Sequence, residues 1–364
     1  MEDLVVMAGT YQRSGEQGIF NLRLDRGTGV LRLQGAWSGV DAPSFLALHP
    51  SGRWLYAVSE HAHGAVWSFD VNEENGLLEP KGSQPSHGAA PCHLTLDPEG
   101  RHVFTVNYAS GTVLVYPIRA DGAVDPASTI IEHRGSSVHE RQRSAHPHSM
   151  LLERTGRFAY CADLGTDEII TYRWDSASGA LIRGEGPHVR AKPGAGPRHM
   201  DEHPQRDLVF ALNELDSTLV LYRKDSKTGS LSVLQTLSTL PEGFRGPTYA
   251  ADVHVHPSGR FVYTTNRGHD SIAGFRLEEG TDRLTPLDHT STGGRTPRHF
   301  LIDPLGAFLL VGNQDSDSVE VFAHNPDTGA LQSTGQRMRV PKVACLKVVP
   351  TPHRRRVQES TTVH

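Results

Sequence analysis

The sequence predicts an all-β fold, a seven-bladed β-propeller closed by its own C-terminal strand. Three observations carry this prediction: one motif recurs seven times, a second runs in step with it, and the chain ends hold complementary fragments of one unit.

The first motif is Asp or Asn, a few polar residues, Gly, any residue, then an apolar residue. Its apolar member falls at Leu31, Leu78, Val124, Leu181, Leu231, Leu284 and Leu331, at intervals of 47, 46, 57, 50, 53 and 47 residues, with Asp282-Arg283 replacing the Gly step before Leu284. The second motif opens at a proline or its equivalent, alternates apolar residues, passes through His/Asp-Pro-x-Gly-Arg and ends in an aromatic-bearing strand. Its copies run Pro43 to Tyr56, Pro91 to Phe104, Pro147 to Tyr160, Pro197 to Phe210, Ala250 to Tyr263 and Pro297 to Leu310. Pieces such as Pro50-Ser51-Gly52-Arg53 and Pro257-Ser258-Gly259-Arg260 read as hairpin turns. A third alternating strand follows each, for example Thr112 to Tyr116 or Ser318 to Phe322. Four short strands in about 40 to 50 residues is the period of a propeller blade.

The ends complete the ring. The unit around Leu4-Val5-Val6-Met7 lacks an opening strand, and the segment from Val340 to Pro350 offers only an opening strand. Placing the latter innermost in blade 1 removes the open edges that invite aggregation. Residues 1–350 are thus read as the propeller, with blade 5 opening at Gly194, and residues 351–364, with Arg354-Arg355-Arg356, as a disordered tail. The 57-residue interval holds a polar, aperiodic insertion before blade 4, residues 135–146, which would lie over one mouth of the ring.

Composition narrows the function. A formal net charge of −5 argues against general nucleic-acid affinity. No apolar run is long enough to span a bilayer, and the start Met1-Glu2-Asp3 lacks a signal-peptide pattern, so a cytoplasmic protein, monomeric or weakly homo-oligomeric, is expected. The three cysteines Cys92, Cys161 and Cys345 have no ligand-like spacing, so neither a disulfide framework nor a metal or other cofactor is expected.

The repeat serves as an internal control, because residues shared by many blades are structural. His49, His203 and His256 all precede the turn proline, where other blades carry Asp97 and Asp303, and read as turn stabilisers. Asn107, Asp163, Asn213, Asn266 and Asn313 share the end of the second strand and read as turn formers. Two columns break the pattern. The position after the opening residue holds Ser44, Cys92, His148, Arg198, Ala251 and Arg298, and the position after the recurring Asn or Asp holds Glu60, Tyr108, Leu164, Glu214, Arg267 and Gln314. Both columns lie at the rim opposite the Gly-Arg turns. His148, Arg198, Glu214, Arg267 and Arg298 come from four neighbouring blades and can line one pocket. A structural ion-pair network is the alternative, but guanidiniums in excess of carboxylates suit an anionic ligand better. His93, His199 and His299 share the next register and read as blade packing; Asp252 breaks it with a carboxylate, and His254 follows on the same side of its strand.

At Gly194-Ala195-Gly196-Pro197-Arg198-His199-Met200, Asn213-Glu214-Leu215, Ala250-Ala251-Asp252-Val253-His254 and the segment from Arg141-Gln142 to His148-Ser149, the chain resembles the seven-bladed propeller lactonase family. That family includes the propeller-type 6-phosphogluconolactonase and the fungal carboxymuconate cyclase. The resemblance covers nearly the whole chain. It implies that His148, Arg198, Glu214 and Arg267 are catalytic, Arg267 being placed by blade register alone. The His-Pro-His form at 146 to 148 departs from the family pattern and leaves His146 as a competing base.

Lactone opening needs a base for water, a cation for the oxyanion and an acid for the leaving alkoxide. His148 suits the base, Arg198 the oxyanion, and Glu214 would orient the histidine or shuttle its proton. Arg267 and Arg298 would hold a substrate phosphate or carboxylate, with His199, Asp252 and His254 also on the substrate. No Gly-x-Ser-x-Gly nucleophile is present, which disfavours a covalent intermediate, and the mouth is too rich in arginine for a calcium site. The expected reaction is hydrolysis of an anionic lactone, 6-phosphogluconolactone first. A carboxymuconate-type cycloisomerase and a non-catalytic propeller scaffold are the alternatives.

Overall fold

The computed structural model describes residues 3–72, 76–184 and 188–350. The tail assigned to residues 351–364 lies outside the described residues.

Seven antiparallel sheets follow one another around a ring, each of four strands, with a short fifth strand, Val189–Arg190, added in blade 4. The ring closes as expected. Val343–Val348 is the innermost strand of the sheet that continues through Leu4–Thr10, Gln17–Leu24 and Leu31–Ser38, with Ala8 opposite Leu346 and Val6 opposite Val348. Leu346 is fully buried in a cluster with Val6, Leu22, Leu310 and Val321, so the closing strand joins blade 1 to blade 7 through apolar packing as well as its ladder. Truncating one such side chain costs about 2–5 kcal/mol. No helix among the described residues is long and apolar enough to cross a membrane.

Polar side chains stitch neighbouring blades where the sequence suggested only local turns. His49 Nε2 lies 3.0 Å from the Gly100 carbonyl of the next blade, and His203 and His256 make the same contact to Gly259 and Gly306 at 3.2 and 3.0 Å. Gly100 has φ +68°, and a Cβ there would sit 2.3 Å from the His49 ring, so this turn position requires glycine twice over. On the second strands, the hydroxyls of Tyr56, Tyr160 and Tyr263 donate to the carbonyls of Gly122, Gly229 and Gly329, satisfying buried phenols across the blade interface.

One irregularity of the inner strands positions the site. In blades 3, 4, 5 and 7 the ladder slips directly after the opening proline, between Pro91/His93, Pro147/Ser149, Pro197/His199 and Pro297/His299. Each slip is a β-bulge whose extra residue is Cys92, His148, Arg198 or Arg298. A bulge re-aims the side chain it carries, and here it frees one residue per blade from the alternation of its strand.

Candidate active site

Blade 5 supplies the centre. Its inner strand Pro197–Glu202 pairs with Leu208–Asn213, so Pro197 faces Asn213 and Glu214 follows at the same rim. The bulged Arg198 turns to Glu214, Nε to Oε2 at 2.8 Å, and its Nη1 donates to the Ala251 carbonyl of blade 6. Both side chains of this pair are 2 % exposed.

Two further guanidiniums converge on the same carboxylate. Arg267, at the end of the second strand of blade 6, places Nη2 2.9 Å from Glu214 Oε2. Arg141, carried by the 135–146 insertion, places Nη1 2.6 Å from Oε1 and donates through Nη2 to the Tyr108 hydroxyl at 3.2 Å. Both lie over the Tyr249 ring, at 5.4 Å for Arg141 and 6.0 Å for Arg267. Burial opposes ionisation of Glu214, yet Arg267, Arg198 and Arg141 outweigh it and hold the carboxyl well below the usual carboxylate range. Burial, with Arg267 and Arg298 nearby, lowers the Arg198 guanidinium to about 10, so it remains a cation at neutral pH.

This geometry bears on what Glu214 can do. A carboxylate held by three guanidiniums is a poor proton carrier, and no hydrogen bond joins it to His148 among the described residues. Glu214 is the anchor on which three cations of the mouth converge.

Arg298 stands apart from that cluster. Its guanidinium lies 5.0 Å from the Tyr11 ring centre, and the Tyr11 hydroxyl donates to Glu60 Oε2 at 3.0 Å, where the Ser44 hydroxyl also donates. Burial pushes the Glu60 carboxyl up, against the opposing pull of Arg298. The mouth therefore holds four guanidiniums, Arg141, Arg198, Arg267 and Arg298, against the two carboxyls Glu60 and Glu214.

His148 is buried, and its Nδ1 has no hydrogen-bond partner. Burial first, then Arg198, His199, Arg298 and Arg267, drive its pKa well below the ordinary imidazole value, so the ring is neutral at neutral pH. His146 is held differently: its Nδ1 donates to the Tyr108 carbonyl at 2.8 Å, its ring stacks on Tyr108 at 4.5 Å, and its Nε2 lies 3.4 Å from the Ser144 hydroxyl.

The remaining residues form a second layer, deeper along the axis. His199, Asp252 and His254 line a cavity of about 470 Å³ with His93, His299 and Lys347, toward the turn end of the ring. The His148 and His199 rings, 5.3 Å apart, mark the boundary between the layers. Asp252 is the hub of the lower one: Oδ1 accepts from His199 Nδ1 at 2.7 Å and Oδ2 from the Phe300 amide at 3.1 Å. Burial works against charge on His254, but Asp252 and Asp201 raise its pKa to about 9. The fold thus assembles a set of donors that spacing in the sequence did not reveal, since Asp252, His254 and His299 bring ligand atoms within 4.8 Å of one another. Some of these atoms have hydrogen-bond partners, whereas His254 Nε2 and His299 Nε2 are buried without one. Asp252 binds His199 and the Phe300 amide, and His299 Nδ1 accepts the Leu346 amide at 3.3 Å, as His93 Nδ1 accepts that of Met150 at 3.4 Å. A common pattern is an acceptor on one inner strand receiving the N–H of the next, made by His93, Asp252 and His299, so Asp252 braces blades 6 and 7 as well as meeting His199 of blade 5.

Two residues of the mouth escaped the sequence reading. Arg141 sits in the insertion, which has no equivalents in other blades, so comparison between repeats could not test it; the long interval and the Arg-Gln pair were the available signals. Glu60 stood in the rim column, but nothing local showed that Tyr11 of the neighbouring blade 1 would cap it.

The family described as seven-bladed β-propeller lactonase matches residues 5–348. A 6-phosphogluconolactonase of Bacillus subtilis is 30% identical over 348 residues, covering 95% of this chain and 99% of that protein. One from Pectobacterium carotovorum is 33% identical over 287 residues, covering 79% and 82%. Among solved structures, a periplasmic gluconolactonase of Pseudomonas aeruginosa superposes with a TM-score of 0.90 at 30% identity, covering 95% of this chain and 99% of that one.

Proposed function

The chain belongs to the seven-bladed β-propeller lactonase family, and from that premise we propose that it adds water across the ring ester of 6-phosphogluconolactone to give 6-phosphogluconate. The observation that carries the choice of substrate is the charge of the mouth. Four guanidiniums face two carboxyls, and one of those carboxyls already serves three of the cations. An uncharged lactone would leave this excess without a partner; a phosphate would take it up through bidentate hydrogen bonds.

The chemistry runs through His148. The neutral imidazole takes a proton from water, the hydroxide adds to the lactone carbonyl carbon, and negative charge develops on the carbonyl oxygen. Arg198 answers that charge. Its Nε and Nη1 are held by Glu214 and Ala251, which fixes the guanidinium in advance and leaves Nη2 for the oxyanion. As the intermediate collapses, the bond from the carbonyl carbon to the ring oxygen breaks and the imidazolium returns the proton to that oxygen as a hydroxyl. Arg298 and Arg141 hold the substrate anion, and Arg267 supports both. A phosphorylated sugar also implies a cytoplasmic setting, where such esters are made.

The gluconolactonase neighbour makes the unphosphorylated lactone the competing substrate. The test is to measure kcat/KM for both lactones, correcting for spontaneous opening. Clear preference for the phosphorylated lactone is expected. Equal use of both would reject the phosphate, and preference for a muconate-derived acid would move the activity to the cyclase branch.

A further inference from the structure

The Arg141 guanidinium reaches the mouth from an insertion with no counterpart in other blades, so something must fix that insertion in place. Asp167 is the residue that does so. It lies in the turn after the second strand of blade 4, is 4 % exposed, and has φ 58°, in the left-handed region. Its carboxylate accepts four hydrogen bonds from two separate loops. Oδ2 takes the Ser137 hydroxyl at 2.6 Å and the Gly194 amide at 2.7 Å; Oδ1 takes the Gln142 side-chain amide and the Gly196 amide, both at 2.7 Å. Ser137 and Gln142 belong to the insertion, and Gln142 is next to Arg141. Gly194 and Gly196 belong to the loop that leads into blade 5, and Gly196 is two residues before Arg198.

The other blades separate the shared part of this arrangement from the special part. Asp270 and Asp317 occupy the same left-handed turn position, at φ 55° and 53°, and each accepts one amide from the loop leading into the next blade, Thr296 and Lys342, both at 2.8 Å. Asp167 retains that structural task through Gly194 and Gly196. What it adds is the pair of side-chain bonds to the insertion. The insertion is then pinned from the other side by Gly165, where a Cβ would fall 1.9 Å from the Ser144 carbonyl oxygen and 2.7 Å from the His146 nitrogen.

We infer that Asp167 is a positioning residue for the arginine mouth: it latches the 135–146 insertion to the loop leading into blade 5 and so sets Arg141 and Arg198 where both can hold Glu214. A carboxylate suits the task because it presents only acceptors to four donors. Asparagine in its place would turn an NH₂ group toward two of them. Only the kinetic consequence rests on the proposed lactonase reaction; the latch itself does not.

The test uses the full chain with Asp167→Asn, Gly165→Ala, Arg141→Ala and the double variant of Asp167 and Arg141. Hydrogen exchange without substrate reads the latch: in Asp167→Asn the Ser137, His139 and Gln142 amides of the insertion, as well as those of Gly194 and Gly196, should exchange faster than in the parent. With 6-phosphogluconolactone, Asp167→Asn and Gly165→Ala should each raise KM by about tenfold, the scale of one hydrogen bond to a charged group, with a smaller change in kcat. The double variant should be no worse than Arg141→Ala alone, because both changes remove the same contact. Should Asp167→Asn fail to fold, Ser137→Ala removes one donor from the insertion and should shift KM in the same direction. Unchanged exchange at the insertion amides, or multiplicative effects of Asp167→Asn and Arg141→Ala on KM, would overturn the inference. If the parent turns over no lactone, the substrate assignment fails while the exchange result still decides the latch.

Discussion

Replacing Glu214 by Gln removes the one anion that three guanidiniums share, at 2.6 Å for Arg141, 2.8 Å for Arg198 and 2.9 Å for Arg267. Glutamine is nearly the same size, but it offers one acceptor oxygen and turns an NH₂ toward a donor. Removing one member of a fully buried ion pair costs about 3–5 kcal/mol. Arg198 meets that condition at 2 % exposure, whereas Arg141 at 36 % and Arg267 at 14 % can regain water. The loss should therefore be about 2–3 kcal/mol, below the fully buried case. Catalysis should suffer through Arg198, which loses the partner on its Nε and with it the fixed aim of Nη2. Loss of one preorganised oxyanion donor lowers kcat by about a hundredfold or more.

The same substitution carries a pH signature. The folded-state pKa of Glu214 is depressed below its ordinary value of 4.5, so its stabilisation is fully present above that value and is lost as pH falls through the folded pKa. Urea unfolding of parent and Glu214→Gln should show a constant gap at neutral pH that narrows below about pH 4.5. Equal stability at neutral pH, a gap that persists into acid, or full kcat in the variant would refute the anchor role.

Three other outcomes follow from the same geometry. Arg298→Ala leaves the Glu214 cluster intact and should raise KM for 6-phosphogluconolactone more than it lowers kcat, as expected of a uniform binding group; a fall in kcat alone would place Arg298 in the chemical step. Because burial and nearby cations depress the His148 pKa and its neutral form is the active one, kcat/KM should stay level as pH drops through 6.5 and fall only further down, whereas a fall centred at or above 6.5 would point to another base. Deleting residues 340–364 removes the strand opposite Leu4–Thr10 and should leave the chain aggregated or unfolded by size-exclusion chromatography and circular dichroism; a soluble monomer that unfolds cooperatively would contradict closure through that strand.

The fold was legible because a propeller repeats its own evidence. Seven spaced motifs gave the blades, and the orphan strand around Val343 could only complete the blade that lacked one. The rim positions of His148, Arg198, Glu214, Arg267 and Arg298 were also legible, since their columns hold unlike residues where structural columns hold like ones. What could not be read was partnership. A single sequence does not show that three arginines meet at Glu214, so nothing in it distinguished an anchor for cations from a group that orients His148 or shuttles its proton. Nor does the register reveal a bulge: alternation alone would send Arg198 and His199 to opposite faces, whereas the slip after Pro197 lets Arg198 meet Glu214 while His199 meets Asp252. Arg141 was hidden for a third reason, because an aperiodic insertion has no repeat to compare it with.

The central claim is that a neutral, buried His148 activates water in a mouth whose arginines bind the substrate anion. Single-turnover and steady-state kcat of His148→Ala on 6-phosphogluconolactone, measured beside the affinity for 6-phosphogluconate, tests it most directly. The account predicts a kcat lower by about a hundredfold or more with product affinity nearly unchanged, because the base is lost while the arginines remain. Near-parental kcat in a folded His148→Ala protein that still binds product would contradict it.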